Sequence, residues 1–300
     1  MIDIKSVTKK FGDFTAIKDL SFHVDDGMIY GLVGYNGAGK TTLLKTVSDV
    51  YRPEEGEVLI DGENVRDNAV AKQKIFYVPD DLFFLPYSNM EKMAKFYNGF
   101  YPNFSFETFR KLADVFGLDT KKRLNGFSKG MQRQAELVLG LASHPSILLL
   151  DESFDGLDPQ KRTIVKNLVT EYVSETGTSV IISSHNLHEL GDISHRIGLI
   201  NGKKLALDCA LGEISRNRRK IRVVFKHDFS KDVLLNIEHK NFTKDGRIMT
   251  FSSPEPFEQI QRKLEEFEPL LLEEFPLSLE EVFLEEMEGA DYDFTEIFKV

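Results

Sequence analysis

The chain has 300 residues, 41% of them hydrophobic and 24 of them Phe, which excludes a disordered chain. Its 38 basic and 48 acidic residues leave a net charge of −10, which argues against a general nucleic-acid binder. No apolar run approaches the ~18–20 residues that span a bilayer, and the opening MIDIKSVTKKFG is too polar for a signal peptide. One cysteine, Cys209, cannot form an internal disulfide, so a cytosolic setting is expected.

In chain order, residues 2–33 read as short strands and turns, and 28–33 is an apolar run suited to a strand buried on both faces. Gly34, Tyr35, Asn36, Gly37, Ala38, Gly39, Lys40 and Thr41 then fit G-x-x-x-x-G-K-[ST]. The glycines let backbone amides wrap close to phosphate oxygens. A helix predicted after Lys40, with Leu43, Leu44, Val47 and Val50 at helical spacing, turns its N-terminal amides toward the same anion. Lys40 supplies a point charge for the outer phosphates, and the Thr41 hydroxyl can ligate Mg²⁺.

Asp61-Gly62 predicts a hairpin. Residues 83–145, rich in Phe and Tyr mixed with charge, read mainly as helices. The runs 147–150 and 180–182, separated by a helical pattern around 163–173, predict a parallel sheet. The first run ends in Asp151 and Glu152, at the strand end where α/β sheets hold ligands. Asp151 can hold Mg²⁺ through water, and Glu152 can orient or deprotonate an attacking water. Asn201-Gly202 predicts a second hairpin.

Composition shifts near Leu211, and Arg216, Arg218, Arg219, Lys220 and Arg222 form a basic run. Strands at 221–225 and 248–251 with a turn at Asp245-Gly246, a helix at about 256–267, and a capping box at Ser278–Glu281 opening a last helix predict a small α+β unit over 215–300. From Glu255 onward there are 15 acidic and 3 basic residues, so the rest of the chain is close to neutral.

Three further segments make the pattern specific. Phe127-Ser128-Lys129-Gly130-Met131-Gln132 opens a helix just before the Asp151 strand, Ser153-Phe-Asp155-Gly156-Leu157-Asp158-Pro159 follows the carboxylates, and Ser183-Ser184-His185 ends the next strand. In this order they resemble the ATP-binding subunits of ABC transporters, over about residues 1–210. The resemblance implies an α/β P-loop NTPase of the ABC type, a mixed sheet with a helical subdomain at about 83–145. The expected division is an ATP-binding domain at 1–214 and a C-terminal α+β accessory domain at 215–300.

The resemblance further implies ATP and Mg²⁺ as ligands and a head-to-tail dimer, with a like or related subunit, that sandwiches two ATP molecules. Gly34, Asn36, Gly37, Ala38, Gly39, Lys40, Thr41 and Thr42 would bind the nucleotide, and Thr41 and Asp151 the metal. Glu152 would activate water, with His185 contacting the outermost phosphate. Ser128 and Gly130 would complete the site of the second subunit, Asp158 would touch that subunit, and Phe11, before Gly12, would stack on adenine. Phe127, Lys129 and Met131 depart from the usual Leu-Ser-Gly-Gly-Gln, while Ser128 and Gly130 match it. Asp80 stands where the family has a Gln that reaches Mg²⁺ and links the site to the membrane subunit.

The implied function is ATP hydrolysis driving a separate transmembrane permease, at the inner face of the cell membrane, with no nucleic-acid partner. The form of the 127–131 segment and the C-terminal extension with Leu277-Ser-Leu-Glu-Glu-Val-Phe resemble bacterial exporter subunits. The competing expectation is a soluble ATPase of the same type that remodels a protein or nucleic-acid complex. For the segment Phe83, Phe84, Leu85, Pro86 and Tyr87, with its three aromatic rings, a docking surface and an internal core are both expected readings.

Overall fold

The computed structural model describes residues 1–213 and 219–287. Arg216, Arg218 and the acidic residues beyond 287 lie outside the described residues. The chain divides into two compact units, Met1–Asp208 and Cys209–Val300.

The first unit opens with β1 (Ile2–Phe11) and β2 (Phe14–Val24), an antiparallel pair. These strands run longer than the short ones expected. Register shifts after Ile4, Val7 and Lys9 let the pair bend and continue past interruptions such as Ser6, at φ 48°. β3 (Ile29–Val33) leads into α1 (Lys40–Val47), and β4 (Glu55–Ile60) turns through Asp61-Gly62 into β5 (Glu63–Asn64). The first sheet has the order β2-β1-β4-β5. A short α2 (Ala69–Gln73), capped by Asn68, precedes β6 (Ile75–Val78).

Three amphipathic helices fill most of the aromatic-rich segment: α3 (Met90–Asn98), α4 (Phe106–Phe116) and α5 (Lys129–Ala142). Their starts are set by side-chain caps from Asn89, Ser105 and Ser128. In the preceding loop Phe84, 9% exposed, packs inside as the core reading expects, whereas Phe83 and Tyr87 are 75% and 73% exposed and take no part in a core.

β7 (Ile147–Asp151), α6 (Pro159–Thr176), β8 (Ser179–Ser184), α7 (Leu187–Gly191), β9 (Arg196–Asn201) and β10 (Lys204–Ala210) follow, and the first unit ends within β10, at Asp208. α6 has Asp158 as cap, Pro159 at its start and Gly177 in the left-handed region at its end, a full set of local stop and start signals. The second sheet runs β10-β9-β3-β8-β7-β6. β9, β3, β8, β7 and β6 are mutually parallel, so their C-terminal ends share one edge. Register pairs Val33 with Ser184, Asp151 with Ser183 and Val78 with Leu150. A continuous core links the two sheets through Ile2, Ile4, Ile17, Leu43, Leu149 and Ile181.

The second unit contains an antiparallel sheet of β11 (Arg219–Val224), β12 (Lys240–Asp245), β13 (Ile248–Ser253) and β14 (Leu271–Pro276), in the order β12-β13-β11-β14. Alternate residues Ile221, Val223 and Phe225 pack with Met249, Phe251 and, from α8 (Phe257–Leu264), Ile260 and Leu264. The capping box before α9 (Leu279–Met287) is reciprocal: Glu281 accepts from the Ser278 amide at 2.9 Å, and Ser278 Oγ accepts from the Glu281 amide at 3.2 Å.

Candidate active site

Parallel pairing brings four loops to one edge: Gly34 directly after β3, Asp80 two residues after β6, Glu152 directly after β7 and His185 directly after β8. The Gly34–Lys40 turn crosses Gly37 at φ 82° and Gly39 at φ 111°, where side chains are strained. A Cβ at Gly39 would also lie 2.5 Å from Ile17 Cγ2 and 2.9 Å from the Ala16 carbonyl oxygen. Glycine there is a steric requirement of the loop's contact with β2.

Lys40 is almost wholly buried. It donates to the Gly34 carbonyl at 2.6 Å and pairs with Glu152 Oε1 at 3.1 Å. The other Glu152 oxygen lies 3.0 Å from His185 Nδ1. Glu152 itself sits at φ 46°, in the left-handed region, a strain of about 1–3 kcal/mol that its neighbours must hold. Its amide donates to Ser183, reaching Oγ at 3.0 Å. Asp155 also comes close: one ligand atom each from Glu152, Asp155 and His185 lie within 4.8 Å of one another.

Asp151 is fully buried and three hydroxyls converge on it. Ser183 donates to Oδ1 at 2.6 Å, Thr41 to Oδ1 at 3.2 Å and Tyr77 to Oδ2 at 3.0 Å. Burial, reinforced by the Asp151 charge, pushes the Tyr77 phenol well above its ordinary value, so it stays a neutral donor. Thr41 and Asp151 thus offer oxygen donors side by side, a hard ligand set that suits Mg²⁺.

The cleft in front of these residues is lined by Phe11, Phe14, Tyr35, Asn36, the glycine loop, Lys40, Thr41, Thr42, Asp80 and Glu152. Phe11 is 44% exposed and packs edge-on to Tyr51. Ala38 packs against the core under the loop. Asp80 is joined to Arg133 of α5, whose Nη2 reaches Oδ1 at 2.9 Å and the Asp80 carbonyl at 3.1 Å. Arg133 Nη1 donates to the Glu152 carbonyl oxygen.

Ser128, Gly130 and Asp158 do not line this cleft. Ser128 is the exposed cap of α5, accepting from the Met131 amide at 3.3 Å, and Asp158 is the exposed cap of α6, accepting from Lys161 at 2.9 Å. Gly130 abuts the segment after Glu152: a Cβ there would lie 2.9 Å from the Gly156 carbonyl oxygen. Lys129 is exposed.

Sequence reasoning missed Arg133, Asp155, Tyr77 and Ser183 as site residues. Asp155 and Ser183 stood inside the segments that carry the family resemblance, where their position beside Asp151 and Glu152 was the available signal, and Tyr77 had only its place three residues before Asp80. Arg133 had none, because a basic residue in the second turn of a helix reads as solvated.

A family model described as ABC transporter matches residues 17–155. The chain is 30% identical over 292 residues to the ABC transporter ATP-binding protein YtrB of Bacillus subtilis (strain 168), covering 96% of this chain and 99% of that one. It is 32% identical over 213 residues to the Nod factor export ATP-binding protein I of Burkholderia pseudomallei (strain 1710b), covering 68% and 69%. Among solved structures, the dimeric bacterial ABC transporter cassette MJ0796 superposes with a TM-score of 0.64 at 23% identity, covering 70% of this chain and 99% of that chain. A glycine loop, a buried metal-suited aspartate and a held glutamate on one sheet edge agree with these likenesses, and the chain belongs to the ATP-binding, ATP-hydrolysing subunits of ABC transporters.

Proposed function

We propose that this ATPase drives a separate membrane permease, in the direction of export, while bound to the inner face of the cell membrane. The observation that carries the catalytic half of this reading is the Glu152 carboxylate, held between Lys40 and His185 one residue beyond Asp151. The 34–42 loop amides and Lys40 bind the ATP phosphates, and Phe11 stacks on the base. Thr41 and Asp151 hold Mg²⁺, which when bound neutralises phosphate charge. As phosphate draws the Lys40 ammonium to itself, Glu152 is released to accept a proton from water, and His185 steadies the water and the outer phosphate. Asp80 contributes a carboxylate to the rim of the same cleft.

A second subunit, identical or related, completes the site with its own Ser128 and Gly130, and its Asp158 segment contacts this one. The capped N-terminus of α5 supports that role, since its free amides suit a phosphate. The two 1–214 and 215–300 parts act as ATP-binding and accessory domains.

Among the described residues no helix is long and apolar enough to cross a membrane. A mostly apolar groove lined by Ala69, Phe96, Tyr97, Phe100 and Tyr101, together with Lys72 and Gln73, has Phe96 and Phe100 40% and 56% exposed and supports docking of a helix from the permease. The exposed rings of Phe83 and Tyr87 support the same reading. The form of residues 127–131 and the likeness to a protein named for Nod factor export support the outward direction.

The test is affinity capture of the tagged chain from its own cells in mild detergent. A polytopic membrane protein recovered in stoichiometric amount, and lost when Phe96 and Phe100 are both changed to Ser, is the expected result. Recovery of soluble partners alone would overturn the permease reading.

A further inference from the structure

We propose that Arg133 is a positioning residue for hydrolysis: it fixes the aim of the Glu152 carboxylate, and Asp80 holds it in place. The inference rests on Glu152 acting as the base.

The backbone of Glu152 is anchored at both ends. Its amide donates to Ser183 Oγ on β8 at 3.0 Å, and its carbonyl accepts from Arg133 Nη1 on α5. Anchoring N–H and C=O together determines φ and ψ of one residue, and so the direction of its Cα–Cβ bond. That matters at Glu152, because φ 46° is a conformation a non-glycine residue leaves unless it is held. The side chain then divides between Lys40 and His185 with little freedom to compensate.

Arg133 is suited to this task chemically. A planar guanidinium presents a rigid fork of donors, whereas an ammonium is a point charge. One edge of the fork serves the Glu152 carbonyl, and Nη2 serves both the Asp80 carboxylate and the Asp80 carbonyl. The side chain is 12% exposed and that of Asp80 52%, so the contact lies at the wall of the cleft, where Asp80 is also a lining residue. The charged residue at position 80 thereby gains a role that an uncharged side chain fills less strongly: a charge-assisted bond that keeps the fork turned toward Glu152.

The experiment uses the full-length protein and measures steady-state ATP turnover, nucleotide affinity with a fluorescent ATP analogue, and melting temperature. Arg133→Gln is expected to lower kcat by about tenfold or more, as displacement of a reacting group does, with KM within about threefold of wild type. Arg133→Lys is expected to recover part of kcat, since an ammonium keeps the charge and the donors but lacks the rigid fork that spans both partners. Asp80→Asn is expected to give a smaller loss, and the Asp80→Asn/Arg133→Gln double variant to match Arg133→Gln alone. Unchanged kcat, a change confined to KM, or additive losses in the double variant would each overturn the proposal. If Arg133→Gln fails to fold, the same split and the same cycle are read with Arg133→Lys.

Glu152→Gln separates this inference from the reading beneath it. Wild-type turnover in Glu152→Gln removes the base itself. Lost turnover in Glu152→Gln with full kcat in both Arg133 variants removes only the positioning role.

Discussion

Lys40 Nζ and Glu152 Oε1 lie 3.1 Å apart, with the two side chains only 5% and 11% exposed. The phosphate-binding cation and the candidate base therefore neutralise each other in a site that excludes most water. An ion pair so placed is costly to break by halves, because the remaining charge is stranded. A phosphate arriving at Lys40 supplies the replacement partner and liberates the carboxylate in the same step.

The first prediction follows from that competition. Glu152→Gln keeps the shape of the side chain and removes its charge. ATP turnover should fall by about 10²–10⁴-fold, the usual worth of a general base, while ATP affinity rises because Lys40 no longer has an anionic rival. Turnover assays and equilibrium nucleotide titration check both arms, and weaker ATP binding would contradict the competition.

A second prediction concerns the glycine loop. Gly39→Ala forces a Cβ into Ile17 and the Ala16 carbonyl at a backbone angle of φ 111°. The loop must shift away from β2, which should abolish measurable nucleotide binding and cost about 1–3 kcal/mol of stability. Calorimetric titration and thermal melting measure the two effects. Gly37→Ala shares the backbone strain but meets nothing within 4 Å, so its loss should be smaller.

Ser183 provides a third. Its hydroxyl donates to Asp151 and accepts from the Glu152 amide, bridging both carboxylate residues from a fully buried position. Ser183→Ala leaves part of that bonding unsatisfied and should destabilise the protein by about 1–3 kcal/mol. Melting should fall by about 2–4 °C per kcal/mol for a unit of this size, and kcat should fall with it.

Glu136 gives a pH-dependent prediction away from the cleft. It is buried in α5, accepts from Tyr97 at 2.7 Å through Oε1, and has no hydrogen-bond partner at Oε2 among the described residues. Burial pushes its carboxyl up to about 7 from an ordinary 4.5, against the lowering effect of the Tyr97 bond. Tyr97 and Tyr101, both neutral phenols held high by burial, are the titratable groups that face it. Between pH 4.5 and 7 the folded protein binds more protons than the unfolded chain, so this group's contribution to stability declines as pH rises through that window. Glu136→Gln should therefore raise the melting temperature at pH 8 by several degrees and change it little at pH 4.5. Equal shifts at both pH values would contradict a buried, ionising carboxyl.

The parts of this protein legible in its sequence are those whose geometry is local. The glycine loop, the helix after it, the helix starts at Ser128 and Ser278, and the hairpin turns at Asp61-Gly62 and Asn201-Gly202 involve residues a few positions apart. Their steric and hydrogen-bonding demands are met within one turn of chain, so spacing alone reveals them. The carboxylate pair Asp151 and Glu152 was legible for a related reason, because an apolar strand announces where it ends.

Other features depend on which strands lie side by side. Ser183 and Tyr77 reach Asp151 across 32 and 74 residues because β7 is laid between β8 and β6, and Arg133 meets Asp80 and Glu152 because α5 packs over the same edge. Burial of Glu136, and the opposite fates of Phe83 and Phe84 one residue apart, likewise follow from long-range packing. The sequence by itself determined the phosphate loop and its chemistry. Only the tertiary structure decided what holds the base in a strained conformation, since those contacts come from chain segments whose proximity no local spacing encodes.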